Sequence, residues 1–312
     1  MAISVGIPRG LLYYEFYPLW EEFLETLGVR VVVSPPTNKA IVDLGVKSCV
    51  DEVCLPVKVF MGHAAYLDGR VDALFVPRVV SVERRSFICP KMMGLPDMVR
   101  ARLQCKSRVI DTCVDRSRGD FPFAGNLLRL GREFGAGPYE TIRAFRRGLR
   151  RMGCEAQPAE VLSEADEAAT GQVRVGVLGH PYNLKDAFVS MNLLDKLRTL
   201  GARPVTADDY PAPEVVRWAR KGRKRLFWTL AEKLLGAAVR WIETSEVDGI
   251  VYLTSFGCGP ESFVAELVSR EASRHSGMPF LLLNIDEHTG EAGLITRLEA
   301  FMDTAGWRAG TR

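Results

Sequence analysis

The strongest constraint on the fold is a pattern that the chain writes twice. ISVGIP (3–8) is a short apolar strand pattern, LWEEFLETLG (19–28) is a helix pattern, and VRVVVSPP (29–36) is a second strand pattern closed by prolines. VRVGVLG (173–179), KDAFVSMNLLDKLRTLG (185–201) and ARPVTADD (202–209) repeat that order. Both helix patterns stop at a glycine, Gly28 and Gly201, the residue best able to take the left-handed backbone that ends a helix. Strand, helix and strand in succession make a parallel pair joined by a crossover helix.

The alternation continues in each half. KSCVDEVCLPVKVFMGHAAYL (47–67) is helical with a break near Pro56, and VDALFVP (71–77) and RVIDTC (108–113) are further strands. The second half adds helices at 213–220, 225–243, 260–274 and 291–306, and strands at 248–255 and 279–286. Residues 114–172 are less regular: they hold a basic helix, TIRAFRRGLRRMG, and then the polar run AQPAEVLSEADEAATGQ (156–172). A domain boundary is expected in or near that run, giving domains at 1–165 and 172–312. The expected architecture is α/β, with two Rossmann-like parallel-sheet domains and a cleft between them. Ligands of such sheets bind beyond the carboxyl ends of the strands.

Composition narrows the function. At 312 residues, 47% hydrophobic and 25% charged, the chain can bury two cores. Its net charge of +3 is close to neutral for this size, so charge alone does not call for an acidic or nucleic-acid partner, and no nucleic acid is expected. No apolar run approaches the roughly 20 residues of a membrane helix. MAISVGIPRGLLYYEFYP has no basic region before its apolar part, so it reads as a first strand rather than a signal peptide, and the chain is expected in the cytoplasm. GxxxxGK[ST], GxGxxG and GxSxG are all missing, which argues against a P-loop ATP site, a dinucleotide fingerprint and a hydrolase elbow. The basic runs RKGRKR (220–225) and RRGLRR (146–151) read as solvated helix faces, as docking patches for an acidic partner, or as contacts for coenzyme A phosphates.

Seven cysteines remain, an odd number with no CxxC pair, which speaks against a disulfide framework, a zinc ribbon or a thioredoxin-type site. Cys258, in SFGCGPES (255–262), follows an apolar strand and precedes a helix beginning near Pro260. Gly257 and Gly259 flank it and would let the backbone approach a ligand closely, while the helix start favours a thiolate or an anionic cluster. Packing as a small hydrophobe is the plain alternative. Cys89, in RRSFICPKMMGLPD, lies in a stretch without period, read as a loop, with proline next to it. Cys54, in DEVCLPVKVF, sits at the helix break beside Pro56 and ranks above Cys49. Cys113 closes the strand VIDTC and is as consistent with packing as with ligation. Cys105 and Cys154 have no supporting pattern. Three or four thiolates from separate loops suit a [4Fe–4S] cluster, and zinc would accept them too.

Two histidines are weaker catalytic candidates. His180, in GHPYN (179–183), follows a strand, with Asn183 or Asp186 placed to cap the next helix. His288 stands at a strand end beside Asp286, Glu287 and Glu291, carboxylates that could move protons or cap a helix. His63 and His275 read as structural or exposed.

GIPRGLLYYEFYPLW, VVVSPPTNKAIVDLGVKSCVDEVCLPVKVFMGH, FVPRVVSVERRSFICPKMMGLPD, GHPYNLKDAFVSMNLLDKL, FGCGPES and DEHTGEAGLITRLEAF together resemble the DUF2229 group, proteins related to 2-hydroxyacyl-CoA dehydratases and their activases. The resemblance covers nearly the whole chain. It departs at Met61, where FHGH is common, and at Glu261, where aspartate often follows CGP. It implies paired Rossmann-like domains with an iron–sulfur cluster between them, held by cysteines from separate loops. It also implies a partner ATPase of the actin/Hsp70 type that drives electrons to very low potential, and a paralogous subunit or a second copy of the chain. In the related dehydratases a thioester becomes a ketyl radical and loses water; other relatives reduce small molecules. Carried onto this chain, the ligands are Cys54, Cys89 and Cys258, with Cys113 as a fourth. A low-potential electron-transfer protein is the leading expectation. A catalytic dehydratase or reductase subunit with an open iron site, a non-catalytic cluster carrier or scaffold, and a zinc protein are the alternatives.

Overall fold

The computed structural model of the protein describes residues 2–155, 172–221, 224–275 and 277–310. Its contacts divide the chain into two compact units, one of Met1–Gln157 with Phe227–Thr229, the other of Pro158–Leu226 with Leu230–Arg312. The expected boundary at 156–172 falls almost wholly outside the described residues, as do Gly222 and Arg223 of the basic run at 220–225.

The first unit carries a four-stranded parallel sheet in the order β2-β1-β3-β5. Its strands are β1 (Ser4–Ile7), β2 (Arg30–Val33), β3 (Ala73–Phe75) and β5 (Arg108–Ile110). Helix α1 (Tyr13–Thr26) joins β1 to β2, and α2 (Lys39–Ser48) and α3 (Leu55–Leu67) cross from β2 to β3. α1 begins six residues before the sequence pattern suggests and takes Pro18 into its first turns. Gly28 has the left-handed φ, +78°, that the helix stop requires.

Beyond β3 and β5 the two chains run on as a second parallel pair, β4 (Arg78–Ser81) and β6 (Cys113–Asp115). The expected strand 108–113 is therefore two strands, and Cys113 opens the second instead of closing the first. The break has a local cause. Pro77 lies between β3 and β4 and has no N–H for the ladder, while Val76 and Arg78 on either side still donate to Ile110 and Thr112. The stretch read as a loop around Cys89 is helical: α4 (Pro90–Met93) and α5 (Leu95–Arg102) each start with a proline in the first turn. Helices α6 (Asp120–Glu133) and α7 (Pro138–Glu155) complete the unit, together with residues 227–229, which pair with the backbone of Phe87.

The second unit repeats the plan. Its strands β7 (Val173–Leu178), β8 (Ala202–Thr206), β9 (Gly249–Ser255) and β10 (Phe280–Ile285) are all parallel, in the order β10-β9-β7-β8. Numbered within each unit, both sheets run 2-1-3-4. The helices are α8 (Pro181–Leu184), α9 (Leu193–Thr199), α10 (Ala212–Arg220), α11 (Thr229–Thr244), α12 (Gly259–His275) and α13 (Glu291–Gly310). The helix expected over 185–201 shrinks to α9, because Met191 and Asn192 turn left-handed ahead of it. β9 is buried along its whole length, as its unbroken apolar run requires between two layers of helices. Gly176 of β7 has no room for a side chain: a Cβ there would lie 2.5 Å from the ring of Trp241. Among the described residues no helix is long and apolar enough to cross a membrane.

Candidate functional site at the switch point of the second sheet

In the order 2-1-3-4 the crossover leaving the first strand and the one leaving the third run to opposite sides. Their loops part at the carboxyl ends, which opens a crevice. In the second unit those loops follow β7 and β9, and they carry His180 and Cys258. Gly179 must be glycine, because a Cβ would sit 2.8 Å from the carbonyl oxygen of Leu253. Gly257 turns the chain with φ +77°. Gly259 differs: a Cβ there would meet nothing within 4 Å, so it leaves open space beside the helix start.

Both residues immediately precede a helix. His180 comes before α8 with Pro181 next to it; Cys258 comes before α12 with Pro260 two residues on. Cys258 is buried, its amide donates to Ser255 O at 3.0 Å, and its carbonyl accepts from Ser262 Oγ at 2.8 Å. One potential ligand atom from each of His180, Cys258 and Glu261 falls within 4.8 Å of the others, and all three residues are buried.

Glu261 lies in the first turn of α12, fully buried. Its Oε1 accepts from the amide of His180 at 2.8 Å. Its Oε2 accepts from Asn183 Nδ2 at 3.2 Å, Ser255 N at 3.3 Å and Thr254 Oγ1 at 3.4 Å. Asn183 Oδ1 in turn accepts from Ser255 Oγ at 3.0 Å. A carboxylate so supplied with donors, at a helix start that favours negative charge, ties the two loops together. Its lone pairs are largely spent, so the softer donors facing a metal are Cys258 and the imidazole of His180.

Two buried polar atoms here have no protein hydrogen-bond partner among the described residues: His180 Nδ1 and Tyr252 Oη. Such orphans mark a place where water, an ion or a ligand completes the structure. Burial drives the His180 pKa down, with the Glu261 charge pulling the other way, which leaves a neutral imidazole able to bind a metal or accept a proton. Burial, then the negative charges of Glu261 and Cys258, push the Tyr252 phenol well above its ordinary value, so it stays protonated as a donor.

The first unit holds the other three candidate cysteines. Cys54 is buried and precedes α3, with Pro56 in the first turn; Cys89 is half-buried and precedes α4, with Pro90 directly after it. Cys113 is half-buried at the start of β6, its thiol raised by burial and by Asp115. Among the described residues, no group of three close ligand atoms includes Cys54, Cys89 or Cys113. Cys49 closes α2 with its thiol raised by burial, Cys105 points its sulfur toward the carbonyls of Val99 and Arg100, and Cys154 is exposed.

His288 is exposed and belongs to a turn: its amide and the Thr289 hydroxyl both donate to Asp286 Oδ1, at 2.9 and 2.8 Å. His63 is fully buried, with Nε2 3.0 Å from Thr37 Oγ1. The basic runs are partly neutralised within their own units. Arg147 and Arg151 pair with Glu22 and Glu21 of α1, Arg220 and Arg225 with Glu232, and Lys221 with Glu243.

Sequence reasoning singled out His180 and Cys258 but missed the groups that organise them. Tyr252 was hidden in an apolar strand, Asn183 read as a helix cap, and Glu261 was noted only as a departure from CGP-Asp. The signal was a glutamate three residues after the cysteine, in the first turn of the helix.

Two family models match the chain. The CoA enzyme activase uncharacterised domain, DUF2229, matches residues 4–209, and the 2-hydroxyglutaryl-CoA dehydratase D-component matches residues 147–304. Cys54, Cys89 and Cys113 fall in the first span, Cys258 and Glu261 in the second, and His180 in both. No curated protein matches the chain.

Proposed function

Since the chain belongs to the DUF2229 family and its second half matches the dehydratase D-component, we propose that it is an iron–sulfur protein of the 2-hydroxyacyl-CoA dehydratase-related class, working in low-potential electron transfer. The observation that carries this reading is Cys258 at the switch point of the second sheet, buried at a helix start, with His180 and Glu261 close by. The donor chemistry fits. The thiol is the soft ligand such clusters take, and the two orphaned atoms, His180 Nδ1 and Tyr252 Oη, are partners for sulfide, water or substrate near it.

The proposed ligands are Cys54, Cys89 and Cys258, with Cys113 as the fourth. Cys54, Cys89 and Cys258 share one local design, a cysteine just before a helix with proline in its first turn. Cys113 lacks it and has the raised thiol, so it ranks last. A [4Fe–4S] cluster would supply one-electron transfer at low potential. The chain's own part is to hold the thiols, to fix the two loops through Glu261, and to keep water out around β9.

The chain carries no P-loop motif, so ATP dependence would come from a partner activase of the actin/Hsp70 type, with a paralogous subunit or a second copy completing the assembly. The cytoplasm is the proposed location. A second reading, a catalytic dehydratase or reductase subunit with an open iron site, draws on His180 Nδ1 and Tyr252 Oη as hydrogen-bonding groups for a substrate. Zinc or a single iron on His180, Cys258 and Glu261 is weakened by the donors already occupying Glu261.

Anaerobic reconstitution followed by iron and sulfide analysis and EPR tests the proposal. Near-equal iron and sulfide, lost in Cys54→Ala, Cys89→Ala and Cys258→Ala, is the expected result. Purified protein that takes up neither element, or takes up zinc alone, refutes it. A substrate-dependent change in the EPR signal selects the catalytic reading.

A further inference from the structure

The first unit contains an apolar cavity that the cysteine chemistry does not use. It measures about 350 Å³ and lies among α1, α6, α7 and the β4–β6 pair. A buried apolar cavity of roughly 150 Å³ already holds benzene, and packed interiors rarely leave voids of this size. A smaller cavity of about 50 Å³ lies at the carboxyl ends of β1 and β3, the switch point of the first sheet. The two share Phe16, Trp20 and Val79 as a common wall. The same topological position is thus polar in the second unit and apolar and aromatic in the first.

The mouth of the larger cavity is marked by its exposed lining residues, Arg116, Asp120, Ala124 and Leu149. Among the described residues, Arg116 and Asp120 are the only charged ones lining it, and they pair with each other at 2.6 Å. The two lining charges offset each other, and the other described lining residues are apolar. Charge complementarity therefore selects a neutral occupant. The volume suits a chain or ring larger than benzene, and the adjoining cavity extends the apolar path toward the loop after β1.

We propose that this cavity binds the neutral alkyl chain of a small molecule, with its polar end at Arg116 and Asp120. The inference stands apart from the iron–sulfur reading, since none of its residues is a candidate ligand. It is tested on the full chain by isothermal titration with 1-octanol and 1-decanol, with decanoate as the charged comparison. The expected result is saturable binding of one alcohol per chain, tighter for decanol than for octanol, with a negative heat-capacity change. Decanoate should bind more weakly than decanol. Ala124→Trp and Leu149→Trp, which fill the mouth from exposed positions, should each weaken decanol at least tenfold with an unchanged melting temperature. Tyr139→Ala, exposed on α7 and outside the lining, should leave binding as it is. No saturable heat with either alcohol, or undiminished binding in both filled variants, overturns the proposal. So does a concentration-dependent dimer abolished by Ala124→Trp, which would give the groove to a protein partner.

Discussion

The backbone amide of His180 donates to the carboxylate of Glu261 across 2.8 Å, although the two residues are 81 positions apart in the chain. One side chain thereby joins the loop after β7 to the first turn of α12, and Asn183, Thr254 and Ser255 complete the link. A buried carboxyl group thus bridges the two loops that the strand order sends to opposite sides of the sheet. Cys258 lies between Ser255 and Glu261 in the sequence, within the bridged segment.

Removing the anchor should therefore cost more than an ordinary surface change. Glu261→Ala leaves the amides of His180 and Ser255 and the Asn183 side chain buried without an acceptor, and should destabilise the chain by about 3 kcal/mol or more in urea unfolding. Glu261→Gln presents one NH₂ group to donors and should cost about 2 kcal/mol. If Glu261 anchors and does not ligate, reconstituted Glu261→Gln keeps its iron while Cys258→Ala loses it. A loss below 0.5 kcal/mol in Glu261→Ala would show that the link is idle.

A second prediction concerns the seat of Cys54. α2 and α3 cross so closely that a Cβ on Gly62 would lie 2.0 Å from Ile41 O, and one on Gly45 1.8 Å from Lys58 O. Neither backbone atom can move aside cheaply. Gly45→Ala and Gly62→Ala should each destabilise the chain by about 2 kcal/mol or more, and the same change at exposed Gly125, where a Cβ meets nothing, should not. Thermal melts of the three variants decide it.

Much of this was legible in the sequence, and the limits have physical causes. Both strand–helix–strand openings could be read because their strands are continuous apolar runs and their helices end at Gly28 and Gly201. Cys54, Cys89 and Cys258 could be singled out because a proline lies within two residues of each, although the sequence reads a helix start only after Cys258. β4 and β6 were invisible: four and three residues are too short for a period, and Pro77 hides the continuation from β3. α4 and α5 were hidden by Pro90, Gly94 and Pro96, which break the periodicity that identifies a helix. Glu261 could be seen but not interpreted, since its donors come from 180–183 and 254–255, and only folding brings them together.

Protonation should expose His63. Burial, aided by the charge of Arg9, pushes its pKa down to about 3, against about 6.5 in an unfolded chain. Between those values the unfolded chain binds the extra proton and the folded one does not, so folding stability falls as the pH drops through that window. The slope from this one group should approach about 1.4 kcal/mol per pH unit near pH 4–5. His63→Gln, which can keep a bond to Thr37, should flatten the pH dependence of urea midpoints there by that amount. Parallel curves for variant and wild type would mean that His63 titrates normally.

The last prediction tests what holds the helix that Cys89 begins. Arg78 of β4 makes a two-pronged pair with Asp97 of α5, at 2.8 and 2.9 Å, and donates to the carbonyl of Met93 at the end of α4, at 2.8 Å. One guanidinium thus pins both short helices to the strand. α4 has only four residues and cannot persist alone. Arg78→Ala should lower global stability only slightly, because Asp97 is exposed and water screens the pair. Its clearer signature is local: amide exchange over 90–102 should speed up while β7 and β9 stay protected. Arg78→Lys keeps the charge but not the planar fork that reaches two partners at once, so it should restore only a small part of that protection. Full protection in the lysine variant would mean that charge alone holds the helices, and that the geometry of the fork is incidental.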